Sequence, residues 1–164
     1  MSKAFTKEEI EIPERSGRMR HPGGLPAGAV NYMTAEGERR LRRELEELLL
    51  QGSAGASGGG ELKDERAGDR VSELQRALAS ATIVPIAEPP PEEALFGATV
   101  TLRGADGRIA SYRIVGVDET ALESGWVSWV SPLAKALIGS RPGARVRLTN
   151  TSEDEEMEVV KIAY

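Results

Sequence analysis

The apolar residues of this 164-residue chain keep two different periods, and the switch between them falls at a proline run, Glu88-Pro89-Pro90-Pro91-Glu92-Glu93. Before the run, Leu41, Leu45, Leu48 and Leu49 stand at i, i+4, i+7 and i+8, and Val71, Leu74, Leu78 and Ala81 form a second stripe of helical spacing. After it, apolar and polar residues alternate as on strands. Two narrow amphipathic stripes joined by a Gly/Ser/Ala-rich connector predict an antiparallel helical hairpin. Thr34 is the expected N-cap of the first helix, with Glu36 and Glu38 in the turn where the helix dipole favours negative charge. Pro85 ends the second helix or follows its end. The reading is therefore an α+β chain. Residues 1–29 form a disordered tail, 30–85 a helical hairpin with a flexible tip over about 51–69, 86–95 a stiff proline-rich linker, and 96–164 a small β-sheet domain.

Within that last domain, "GATVTLR" and "RIASYRIVGV" predict two strands around the turn "GADG", with Tyr112 and Ile114 on one face. "WVSWV" predicts a short strand. Ser131-Pro132 is a favoured helix start and Gly139 a stop, so "SPLAKALIG" predicts one short helix with Leu133 and Leu137 in the core. "ARVRLTN" and "MEVVKIAY" complete an antiparallel sheet of four or five strands.

Composition narrows the function classes. A net charge of -5 argues against free-standing binding to a nucleic-acid backbone. There is no cysteine and His21 is the one histidine, which leaves no basis for a thiolate metal site, a histidine metal cluster or a Ser/His triad. No metal site intrinsic to the chain is expected. No segment approaches the roughly 20 apolar residues of a membrane span, and the amino-terminal residues carry no apolar leader, so a soluble, cytoplasmic protein with no membrane partner is expected. Arg39, Arg40, Arg42 and Arg43 read as a solvated helix face balanced by glutamates rather than as a nucleic-acid contact.

The order of hairpin, proline linker and strand-rich domain resembles the GreA/GreB family of bacterial transcription elongation factors, over Asn31 to Tyr164. "SYRIVGVDETALESGWVSWVSPLAKALIGSRPGARV" carries most of the likeness. "NYMTAEGERRLRRELEEL" is similar to the family's opening helix, "VVKIAY" to its last strand, and "MSKAFTKEE" to the tail of GreB-like members. The resemblance implies an FKBP-like C-terminal domain that docks on RNA polymerase at the mouth of its secondary channel. It also implies a hairpin inserted towards the active site, in indirect contact with nascent RNA and DNA. Docking would involve Val130, Ser131 and Pro132, with Trp126 facing outward beside them as an interface anchor. FKBP-like folds include prolyl isomerases, but those need an aromatic-lined pocket, and with 4% aromatic residues that activity is not expected.

In cleavage-competent members, two tip carboxylates help hold a second Mg²⁺ while the polymerase hydrolyses backtracked RNA. Laid on the family tip, Gly60-Glu61-Leu62-Lys63-Asp64-Glu65 puts Glu61 and Asp64 at the two acidic positions, each exchanged for its homologue. Against the family pattern each arm is short by roughly ten residues, which removes on the order of 15 Å of reach at 1.5 Å per residue. Carboxylate–Mg²⁺ bonds span only about 2.0–2.1 Å, so no rotamer change makes up that shortfall. The resemblance thus implies a polymerase-binding elongation regulator that is not itself an enzyme and does not support efficient transcript cleavage. The alternatives are an active Gre-type cleavage factor using Glu61, Asp64 and the polymerase's Mg²⁺, and a short-armed regulator of nucleoside diphosphate kinase.

Overall fold

The computed structural model describes residues 25–54, 61–148 and 155–164. Residues 1–24 of the tail expected over 1–29 and the connector residues 55–60 lie outside the described residues. A short strand β1 (Asn31–Met33) leads into helix α1 (Ala35–Ala54), and helix α2 (Glu61–Ser80) returns to strand β2 (Ala81–Ile83). Thr34 caps α1 as expected, its hydroxyl accepting from the Gly37 N–H at 2.9 Å.

The hairpin departs from expectation at both ends. At the far end, residues 51–54 and 61–69 of the stretch expected to be a flexible tip are helical, because α1 runs on to Ala54 and α2 begins at Glu61. Residues Glu61 to Asp69 are dominated by good helix formers (Glu, Leu, Lys, Arg, Ala), so the charged cluster is helix rather than connector. Near the base, α2 stops at Ser80, and Ala81 opens a strand instead of closing the helical stripe. The β-branched pair Thr82 and Ile83 favours that change. β2 lies parallel to β1, with Asn31 opposite Ala81 and Met33 opposite Ile83. Leu49, expected on the buried stripe, is exposed.

The hairpin core is thin. Met33, Leu41 and Leu74 are buried, with Leu45, Leu48 and Leu78 packed around them. Three such side chains contribute about 1.5–3 kcal/mol each. That is little for two twenty-residue helices, and the base relies on the domain that follows. Leu122 of that domain packs into the same cluster.

The second domain is a five-stranded sheet in the order β5-β4-β3-β7-β6. Its elements are β3 (Thr99–Gly104), β4 (Ile109–Val115), β5 (Trp126–Ser128), α3 (Pro132–Leu137), β6 (Arg145–Leu148) and β7 (Glu155–Ala163). The sheet is mixed, not antiparallel throughout: β5 runs parallel to β4, with Arg113 opposite Trp126. Residues 116–125 carry the chain back across the end of the sheet through a 3-10 turn (Val117–Glu119) before β5 starts, so the two strands share a direction. Val100, Leu102, Ile114, Leu137 and Val159 are fully buried between the sheet and α3, and Leu133 joins them as expected. The proline-rich stretch ends inside this packing. Ala94 is buried, its N–H donates to the Ser140 carbonyl at 2.8 Å, and the Tyr164 hydroxyl donates to the Glu93 carbonyl at 2.6 Å.

Candidate functional site

Three regions carry the candidate residues: the hairpin tip, the start of α3, and the junction between hairpin and sheet. At the tip, Glu61 is the first residue of α2 and Asp64 lies three residues on, at the end of the hairpin remote from the sheet. Their side chains are outside the described residues. Each arm is twenty residues, about 30 Å of helix. Among the described residues, no three His, Cys, Asp or Glu side chains gather to hold a metal ion.

At the start of α3, Ser131 caps the helix, its Oγ accepting from the Ala134 N–H at 3.1 Å. Pro132 is exposed at the first helical position and Val130 is half-buried. These three residues are contiguous on the surface side of the chain. Trp126 does not join them. It is 9% exposed and lies under the arginines of the junction, so it is no outward-facing anchor. The strand pattern missed this because β5 is an edge strand, and the element that covers it, α1, comes from more than eighty residues earlier.

The junction is where the fold concentrates its polar chemistry, and sequence reasoning passed over it. Glu119 has no exposed surface, yet its carboxylate reaches across from the 3-10 turn to the start of α1. Oε2 accepts from the Thr34 N–H at 3.0 Å and from the Gly116 N–H at 2.6 Å. Oε1 accepts from the Thr34 hydroxyl. One side chain therefore satisfies the helix-start amide and the turn amide together. Burial pushes the Glu119 carboxyl above the ordinary carboxylate range, and the bonds from Thr34 and Gly116 oppose that shift. Beside it, Asn31 Nδ2 donates to Asp118 Oδ2 and to the Ser80 hydroxyl, both at 3.0 Å. Tyr32 meets Trp129 edge-on at 5.4 Å between ring centroids.

A second bridge lies one helical turn along α1. Glu36 accepts from Arg40 Nη2 at 2.6 Å and from Arg113 Nη1, and Arg40 Nη1 pairs with Glu123 at 3.0 Å. The Arg113 bond holds the Glu36 carboxyl below its ordinary range. These side chains, with Thr99, Ser111 and Trp126, line an open cleft of about 360 Å³. Its two arginines and two glutamates already neutralise one another, so it is a junction rather than a charged ligand pocket.

The sequence signal that could have led here is glycine. Gly37 interrupts a helix otherwise built of good helix formers, and Gly116 precedes the turn. A Cβ at Gly37 would lie 1.8 Å from Glu119 Oε1, and one at Gly116 would lie 2.2 Å from the Tyr32 carbonyl oxygen. Both positions are glycine because the two domains touch there.

Comparison with known proteins finds sequence relatives over most of the chain. Residues 89–164 match the family model described as "Transcription elongation factor, GreA/GreB, C-term". Transcription elongation factor GreA of Alkalilimnicola ehrlichii is 33% identical over 152 residues, covering 80% of this chain and 96% of the relative. Transcription elongation factor GreB of Neisseria meningitidis is 32% identical over 155 residues, covering 82% and 94%. The solved structure of GreA factor homolog 1 (Gfh1) of Thermus thermophilus is 24% identical and covers 83% of this chain and 100% of that one, with a TM-score of 0.41. Among the described residues, no helix is long and apolar enough to cross a membrane. On the identity and coverage of its sequence relatives, this chain belongs to the GreA/GreB family of transcription elongation factors.

Proposed function

We propose that this chain is an RNA polymerase-binding elongation regulator that docks through its FKBP-like C-terminal domain, about Val130, Ser131 and Pro132, and directs a short helical hairpin into the secondary channel. On this reading it modulates elongation or the access of other channel factors and does not promote efficient transcript cleavage.

The observation that carries this reading is the length of the arms. Twenty residues per helix give about 30 Å. The alignment with the Alkalilimnicola relative supports the same point. It runs over 152 residues but takes up 80% of a 164-residue chain, about 131 residues, so about twenty positions of the relative have no counterpart here. The family match spans the C-terminal domain to its last residue, which favours placing the shortfall in the hairpin. A tip set back by that much holds Glu61 and Asp64 away from metals they would need to approach to about 2 Å. The polymerase's Mg²⁺ would supply the hydrolytic chemistry in any case. The chain's own contribution is steric and positional.

The test is transcript cleavage on a defined backtracked elongation complex, with polymerase binding followed in the same reaction. Saturable binding that displaces a full-length Gre factor is expected, with cleavage no faster than for polymerase alone and the Glu61→Ala/Asp64→Ala variant indistinguishable from the parent. Accelerated cleavage that the double variant abolishes would establish the active-factor reading instead. Absence of polymerase binding, together with recovery of nucleoside diphosphate kinase in a pull-down, would establish the kinase-regulator reading.

A further inference from the structure

The polar contacts at the junction fall into two groups with different mechanical consequences. The Glu119–Thr34 bonds and the Asn31 bonds gather at the first residues of the hairpin. Contacts confined to one end of a rod hold that end in place but resist its tilting poorly. Resistance to tilt needs a second attachment at a distance along the rod, and α1 has one.

Arg40, on the second turn of α1, places its guanidinium carbon 5.1 Å from the Trp126 ring centroid. Arg113, on β4, places its own at 4.8 Å from the same ring. Both lie within the reach of a cation–π attraction. The Arg113 side chain is 19% exposed, so its attraction to the ring is little weakened by solvent. Arg113 and Trp126 are register partners on adjacent strands, and the Arg113 N–H donates to the Gly125 carbonyl at 2.9 Å, so the sheet fixes their relation. Glu36 then ties the two arginines together from the helix side. Arg113 Nε is buried with no hydrogen-bond partner among the described residues, which leaves Nη1 and the stacking face as its holds.

We propose that Trp126, stacked with Arg40 of the hairpin and Arg113 of the sheet, is a positioning residue that fixes the tilt of the hairpin on the C-terminal domain. It has no contact with polymerase in this role. It acts through α1, and its effect is amplified by the lever. Gln51 lies about 25 Å along α1 from Thr34, so 10° of freedom at the base displaces it by about 4 Å. A factor that must enter a narrow channel needs that freedom removed before it docks. This consequence rests on the reading under Proposed function, whereas the geometry does not.

The absence of cysteine permits a direct measurement on the full chain. Spin labels are placed at Gln51→Cys and Ala105→Cys, both exposed and outside the junction. Double electron–electron resonance gives the distribution of distances between hairpin and sheet. A narrow distribution is expected in the parent, broadened by about 4 Å in Trp126→Ala and returned most of the way by Trp126→Phe, which keeps an aromatic face. Arg40→Met serves as the second variant, since it leaves no buried cavity behind, and the same broadening is expected of it. Circular dichroism confirms that each variant is folded. An unchanged width in folded Trp126→Ala or in Arg40→Met overturns the proposal, as does a Trp126→Phe variant as broad as the alanine. Polymerase is absent from this measurement. Failure of the functional reading therefore shows in the binding assay on the parent, and failure of the clamp shows only here.

Discussion

Glu119→Ala is expected to destabilise the chain by about 3–5 kcal/mol, whereas Glu119→Gln is expected to stay within about 1 kcal/mol of the parent. The alanine leaves the Thr34 and Gly116 amides without their acceptor and opens a cavity where a fully buried side chain stood. For a chain of this size the loss corresponds to a drop in Tm on the order of 10 °C. Glutamine can keep its carbonyl oxygen at the Oε2 position, accepting from both amides, and present its NH₂ to the Thr34 hydroxyl, which can accept as well as donate. It also avoids the burial of a charge. Thermal unfolding followed by circular dichroism measures the stability difference, and hydrogen exchange at the Thr34 and Gly116 amides locates it. Equal losses in the two variants would mean that the charge, not acceptor geometry, holds the junction.

The same pair of proteins carries a pH signature. Because burial raises the Glu119 carboxyl in the fold, its proton is held more tightly there than in the unfolded chain. That contribution to stability is complete below the ordinary value of 4.5 and is lost as pH rises through the folded value. Glu36 has the opposite sign, its contribution being present above the ordinary value and lost as pH falls through the lowered one. Glu119→Gln removes only the first effect. The Tm of the parent relative to this variant is therefore expected to fall as pH rises from 4.5 and then to level off. A difference that is flat, or that grows with pH, contradicts the assignment.

Local rules carried the sequence reading wherever the interactions are local. The helical stripe of Leu41 and Leu45, the Thr34 and Ser131 caps and the core residues Leu133 and Leu137 depend on neighbours within a few positions, and each sits in the fold as its spacing requires. Contacts between distant segments left no such trace. Glu119 reads as one more polar residue in a turn, since its partner Thr34 is 85 positions away. The pattern assigns Trp126 to a strand correctly but to its outward side wrongly, because the arginine that covers it belongs to the first helix. The parallel pairings of β1 with β2 and of β4 with β5 are likewise set by where the chain returns, not by the residues of the strands. The far ends of the hairpin helices are not legible in the sequence either, since α1 runs to Ala54 and α2 begins at Glu61, inside the stretch read as connector.

Gly37→Ala offers the sharpest test of the junction, because its sign should depend on a residue in the other domain. Alanine is normally preferred to glycine inside a helix by about 1 kcal/mol. Here the new methyl carbon would lie 1.8 Å from Glu119 Oε1 and 2.4 Å from its Cδ, so the carboxylate must leave its place and surrender the bonds to Thr34 and Gly116. The substitution is therefore expected to cost about 2–4 kcal/mol in the parent. With Glu119→Ala already in place the obstacle is gone, and the same substitution is expected to be neutral or to stabilise by up to about 1 kcal/mol. Gly116→Ala supplies the control. Its methyl would meet both the Tyr32 backbone carbonyl at 2.2 Å and Glu119 Oε2 at 2.7 Å; removing Glu119 relieves only the second contact, so a cost should remain in both backgrounds. Denaturant unfolding of the single and double variants measures all of these quantities. If Gly37→Ala costs the same with and without Glu119, the hairpin is not anchored through this carboxylate. A reversal at Gly37 alone would show that a helix-start glycine and a buried glutamate form a single contact that seats the hairpin on the sheet.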